Sequence, residues 1–179
     1  SVLGCGAAVV PQIHNDSDRL NVARRMYDKG DYTLAVEILT PYISSAAGAG
    51  DVDQAIYLLG LSHLKAKEWA SAEGDFQRLL RDYPESDSAQ SAAFRLGEAY
   101  FGQSRGPDFE QEFTLKALEQ WMAYRRDAPE HWLASESLTR IAECRARLAT
   151  KLYRTGDLYV KLKEYAPAKI YFKNVMTQY

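Results

Sequence analysis

Side chains that usually carry chemistry are few in this chain, and their spacing does not suit it. His14, His63 and His131 lie far apart, and none has a partner at metal-ligand spacing. The sequence holds no CxxC, no HExxH, no GxSxG elbow and no phosphate-cradling glycine loop. Carboxylates such as Glu110 and Glu112 sit beside a loop and read as solvated. Two cysteines cannot make the disulfide framework of a small secreted domain, and Cys144 reads as a small packing residue. No catalytic residue, no metal and no cofactor is expected, so the chain reads as a non-enzyme. A sequence pI near 5.9, with basic residues spread along one segment, argues against nucleic acid as a partner.

The residues that do recur at fixed spacing are structural. Of 179 residues, 46% are hydrophobic and 26% charged, which suits one array or one domain. Charged and apolar residues alternate at helical spacing almost throughout, and no apolar run is long enough to cross a membrane. The run from Leu59 to Pro84 places Gly60 twelve residues before Ala72, Phe76 four after it and Pro84 eight further on. That ladder resembles a tetratricopeptide (TPR) unit, two antiparallel helices closed by a proline. Gly60 and Ala72 are small because the helices cross closely there, and Phe76 fills the next turn. Ala23, Ala35 and Leu39 repeat the ladder. So do Ala117, Trp121 and Pro129, and again Gly156, Ala168 and Phe172. The expected fold is therefore all-α: a TPR-like α-solenoid of antiparallel helix pairs, about four repeats, with one long helix before the last.

Residues 1–16 read as a start and tether, 17–130 as three repeats, and 131–179 as a long helix plus a fourth, truncated repeat. The first helix should begin near Ser17, and Gly30-Asp31 should be a turn. Ser44 to Gly50 is a loose connection, after which the Asp51 carboxylate can cap the next helix with Gln54 in a capping-box position. From Gly97 to Ala117 is twenty residues where other copies have twelve, which places a loop insertion at about 102–113. In a strict 34-residue repeat the next small position would follow Pro129 by ten, and Gly156 comes seventeen residues later than that. Leu138, Ile141, Leu148, Leu152 and Tyr159 keep helical phase across the extra stretch. One long helix from about Ser135 is expected, protruding beyond an ordinary stack.

Repeat solenoids present a concave surface lined by the first helix of each pair. Positions around each small residue should face it: Arg24 and Tyr27, then Tyr57, Leu61 and Leu64, then Phe94, Glu98 and Phe101, then Tyr153, Asp157 and Val160. Arg24, Tyr27, Tyr57, Leu61, Phe94 and Phe101 are the groove candidates for an extended peptide. The alternative is that these aromatics pack between helices. Net charge is −2, divided unevenly: from Glu136 onward nine lysines and arginines face four acids. Those charges are either solvated helix faces or a surface for an acidic partner or anionic lipid, with Arg145, Arg147, Lys151 and Arg154 as the partner-face candidates.

The opening Ser1-Val2-Leu3-Gly4-Cys5 resembles the end of a bacterial lipoprotein signal, which implies a lipidated Cys5 and a membrane anchor, with Val9 to Asn15 as tether. Together with Tyr83-Pro84-Glu85-Ser86, Ala128-Pro129, the loop insertion, and the run from Arg145 to Phe172 that joins a lengthened helix to a repeat, the chain resembles the BamD (YfiO/ComL) family. The resemblance covers nearly the whole chain from Asp18. It implies a lipid-anchored scaffold on the periplasmic face of the outer membrane. The first repeats would receive unfolded outer-membrane proteins. The carboxy-terminal half would hold BamA through its POTRA domains, with other Bam lipoproteins as further partners. That family has about five repeats, so the resemblance also implies a further repeat. The alternative is a periplasmic TPR adaptor of the Tol-Pal or cell-wall coordination (CpoB-like) type.

Overall fold

Apolar residues that recur every three to four positions wind into eight successive helices in the computed structural model, which describes residues 16–45 and 50–179. These are α1 (Asp16–Asp28), α2 (Tyr32–Ser45), α3 (Val52–Lys65), α4 (Trp69–Asp82), α5 (Ala89–Gln103), α6 (Glu112–Asp127), α7 (Ala134–Lys161) and α8 (Tyr165–Gln178). No strand occurs among the described residues. Each helix packs on the next in the chain, and α3 also meets α1 and α5. The fold is the expected TPR-like helical solenoid.

The small-residue ladder sets the crossings. A methyl group at Gly60 would lie 2.7 Å from the Phe76 ring, one at Gly97 2.5 Å from Trp121, and one at Gly156 2.8 Å from Phe172. Three times, then, an aromatic ring of the second helix rests on the bare backbone of the first. Ala23, Ala35 and Leu39 make the equivalent contact layer in the first pair, all buried.

Three pairs turn in the same way. Gly30, Lys67 and Lys163 take positive φ values of 83°, 63° and 62°. At each, two backbone N–H groups return to the helix just ended, as from Lys67 to the Leu64 carbonyl and from Glu68 to that of His63. This is the Schellman arrangement, and it reverses the chain within three residues. Asp31 then caps α2, its Oδ1 accepting from Leu34 N at 3.1 Å. Asp51 departs from expectation: it precedes α3 but makes no side-chain cap, because its carboxylate takes the Tyr42 hydroxyl instead.

The inserted loop is shorter than expected, covering 104–111, since α5 holds to Gln103 and α6 starts at Glu112. Gln111 closes it by donating to the Gly106 and Phe109 carbonyls, both at 2.9 Å. The lengthened helix is one unbroken element: α7 has 28 residues, about 42 Å at 1.5 Å per residue. Its first fifteen residues bury Ser137, Ile141, Cys144 and Leu148. Beyond Leu148 only Gly156 of α7 is buried, and in α8 only Ala168. Burial pushes the Cys144 thiol up to about 12, consistent with a packing role.

Candidate functional site

The first helices of the pairs, together with α7, enclose a cleft of about 480 Å³. Tyr27 comes from α1, Tyr57 and Leu61 from α3, Glu98 and Phe101 from α5, and Arg140 from α7. A second hollow of about 510 Å³ adjoins it, sharing Tyr27, Tyr57 and Leu61 and adding Arg24. Five of the six groove candidates therefore lie along one concave track: Arg24, Tyr27, Tyr57, Leu61 and Phe101.

Phe94 does not. It is fully buried, its ring 6.1 Å from Trp121 and 5.5 Å from Tyr124. It holds the same repeat position as Tyr57, but the second core cluster, built with Ile141 and Cys144 of α7, closes over it. Arg95 takes the place at the cleft, with its guanidinium carbon 5.5 Å from the Phe94 ring centre. The corresponding positions of the fourth pair, Tyr153, Asp157 and Val160, lie outside the cleft lining.

The cleft is electrically polar. Its lining carries Lys65 and Lys67 from the end of α3 and the turn after it, Arg95 of α5 and Arg140 of α7, against the single carboxylate of Glu98. Glu98 binds Arg95 at 2.7 Å and lies 3.6 Å from Arg140, which also pairs with Glu136 and Glu143. The Nε atoms of Arg95 and Arg140 are buried and have no hydrogen-bond partner among the described residues. The adjoining hollow is acidic, with Asp28, Asp53 and Asp87 against Arg24. Burial, with Tyr32 nearby, holds the Tyr27 hydroxyl above the usual phenol range, so it stays a neutral donor.

Arg95 and Arg140 were not among the sequence candidates. A signal existed for Arg95: it is the lone charge in the apolar run Ala92 to Gly97. Nothing local marks Arg140, because only the packing of α7 on α5 brings it to Glu98.

The four basic partner-face candidates divide. Arg147 donates to Ser104 Oγ and stands 4.1 Å over the Phe101 ring. Lys151 donates to the Asp108 and Phe109 carbonyls, both at 3.2 Å, and Arg154 pairs with Asp108 at 2.6 Å. These three face the inserted loop. Their charges meet the chain's own loop beside α7. Arg145 points to the opposite flank of the helix. Cys5 lies outside the described residues. Among those described, no group of three His, Cys, Asp or Glu residues could hold a metal, and no helix is long and apolar enough to cross a membrane.

Antiparallel helix pairs around a concave, charge-divided cleft define a TPR-like helical solenoid. More particularly, the chain belongs to the YfiO family, described as outer membrane lipoprotein, which it matches over residues 11–99 and 64–179. It is 27% identical over 149 residues to the outer membrane protein assembly factor BamD of Caulobacter vibrioides. That match covers 83% of this chain and 47% of the relative, so the chain spans about half the relative's length. Among solved structures it is similar to a thermophilic TPR protein of Thermus thermophilus, with a TM-score of 0.54 at 16% identity over 92% of this chain and 91% of that one. A MamA fragment of Desulfovibrio magneticus gives 0.52 at 18% identity, covering 90% and 74%. Both likenesses concern the fold alone.

Proposed function

We propose that the chain is a non-enzymatic scaffold lipoprotein of outer-membrane β-barrel assembly, and that its concave cleft receives extended, aromatic-bearing segments of unfolded outer-membrane proteins. The observation that carries this reading is the cleft itself. Tyr27, Tyr57, Trp69, Phe101 and Trp121 form its aromatic lining, and the cationic side chains Lys65, Lys67, Arg95 and Arg140 supply positive charge for carboxylate oxygens. Extended peptides gain affinity from main-chain hydrogen bonds and specificity from side-chain pockets, and ring contacts contribute beyond area. Cys5 is proposed as the lipidated anchor on the periplasmic face of the outer membrane. Arg145, the one basic candidate not directed at the loop, is the proposed contact to the POTRA domains of BamA.

Fluorescence anisotropy with peptides from β-barrel carboxy termini tests the cleft. Tyr57→Ala and Phe101→Ala should each weaken binding about 5- to 30-fold, the range of one to two kcal/mol typical of aromatic anchors. Affinity unchanged in both variants removes the cleft from the account. Charge reversal at Arg145 should weaken the BamA contact more at low salt than at high salt, as an exposed charge requires.

A further inference from the structure

The lengthening of α7 opens a second surface, on the flank opposite the cleft. α6 and α8 both pack on α7, and a furrow runs along α7 between Met122 of α6 and the end of α8. Two hollows of about 390 and 520 Å³ make up this furrow. They share Leu138, Ile141 and Arg145, so they form one continuous track across α7. Met122 of α6 bounds one end at 48% exposure, and Tyr179 bounds the other at 42%. Between them Leu138 is half exposed, and Ala142, Ala146 and Ala149 of α7 lie alongside.

The furrow lining holds three arginines, Arg125, Arg126 and Arg145, and no acidic residue. Arg126 has a partner in Asp127 at 2.7 Å, and that pair is exposed to water. An apolar track between parallel ridges, lined by cations that lack buried counter-ions, is complementary to a helix with an apolar stripe and acidic flanks. Alanines beside the track let such a helix approach closely, and helices pack by seating ridges in grooves of this kind. We propose that this furrow docks an acidic amphipathic helix of a partner protein. The proposal goes beyond the cleft reading and does not depend on it. It shares only Arg145 with the BamA contact.

The test is a display library of fourteen-residue amphipathic helices carrying Asp and Glu on the flanks of an apolar stripe, panned on the full chain beside a twin library with Lys and Arg flanks. The acidic library should be enriched at least tenfold over the basic one. Its best member should lose at least tenfold in affinity for Ala146→Trp, which fills the furrow, and for Arg125→Glu/Arg126→Glu, which reverses the rim. Circular dichroism melts check that both variants are folded. Neither variant touches the cleft, so β-barrel peptide binding serves as a separate readout. Equal enrichment of the two libraries, or affinity unmoved by both variants, overturns the proposal. So does concentration-dependent dimerisation in analytical ultracentrifugation that Ala146→Trp abolishes, since the occupant is then a second copy.

Discussion

At the scale of single residues, two glycines in one helix pair should respond in opposite directions. Gly60 lies under the fully buried Phe76 ring, and a methyl group there would meet it at 2.7 Å. Gly60→Ala gains about 1 kcal/mol of helix propensity but forces the ring aside, at about 1–3 kcal/mol. Gly74 lies on the exposed side of α4 with nothing within 4 Å of an added methyl. Gly74→Ala keeps the propensity gain and loses nothing. Thermal melts should therefore show Gly60→Ala lowering Tm and Gly74→Ala raising it, by about 2–4 °C per kcal/mol. A rise in both would mean that the ring is freer than the packing indicates. Two histidines give a second opposed pair. The hydrogen bond between His63 Nδ1 and the Asp75 carboxylate, 2.6 Å long, lifts the His63 pKa above its ordinary value despite burial. Burial lowers that of His131, whose Nδ1 lies 2.5 Å from the Tyr124 hydroxyl. The His63 contribution is full below the unfolded pKa and is lost as pH rises through the raised folded value. The His131 contribution is present above the unfolded pKa and is lost as pH falls through the lowered one. An NMR titration of the ring protons should place the His63 midpoint above that of His131, and the reverse order would refute at least one of the two assignments.

At the scale of elements, the helix pairs were legible because their closest crossings demand particular residue types. Gly60, Gly97 and Gly156 each face a ring sixteen or more positions later, and that constraint is written locally. What could not be read locally was burial decided by a distant element. Tyr57 and Phe94 occupy the same repeat phase, and only the arrival of α7 separates a cleft residue from a core residue. Arg147, Lys151 and Arg154 likewise read as surface charge until the inserted loop is placed against them. That loop should be held in a salt-sensitive manner. Arg154 and Asp108 are more than half exposed, so the pair contributes less than about 1 kcal/mol and is screened by ions. Hydrogen exchange of amides 104–111 should accelerate in Asp108→Lys and, for the native chain, in high salt. Exchange indifferent to both would assign the loop's order to contacts that do not use the Asp108 carboxylate, those of Gln111, Arg147 and Lys151. The turns carry another readable strain. Lys163 sits at φ 62°, where a side chain costs about 1–2 kcal/mol that glycine avoids, while the greater freedom of unfolded glycine returns about 0.4–1 kcal/mol of that. Lys163→Gly should thus raise stability by about 0.5–1 kcal/mol in urea melts, the difference between those two effects.

At the scale of the whole molecule, charge and shape are arranged along one axis. The concave track begins beside Asp28, Asp53 and Asp87 and ends among Lys65, Lys67, Arg95 and Arg140. A bound extended peptide would therefore have a preferred direction. Its carboxy terminus, or an acidic end, would lie toward Lys65, Lys67, Arg95 and Arg140, and its amino-terminal side toward Asp28, Asp53 and Asp87. Peptides that differ only at their last group can report this. A free carboxylate should bind more tightly than the amidated form, by about three- to tenfold at low ionic strength, with the gap narrowing as salt is added. Lys65→Glu/Lys67→Glu should erase the gap while leaving the amidated peptide's affinity nearly unchanged, because Tyr27, Tyr57 and Phe101 still supply the apolar contact. If the amidated peptide binds as tightly as the free acid in the native chain, the basic end serves to hold Glu98 and the helices around it. The direction of the peptide must then come from side-chain pockets alone.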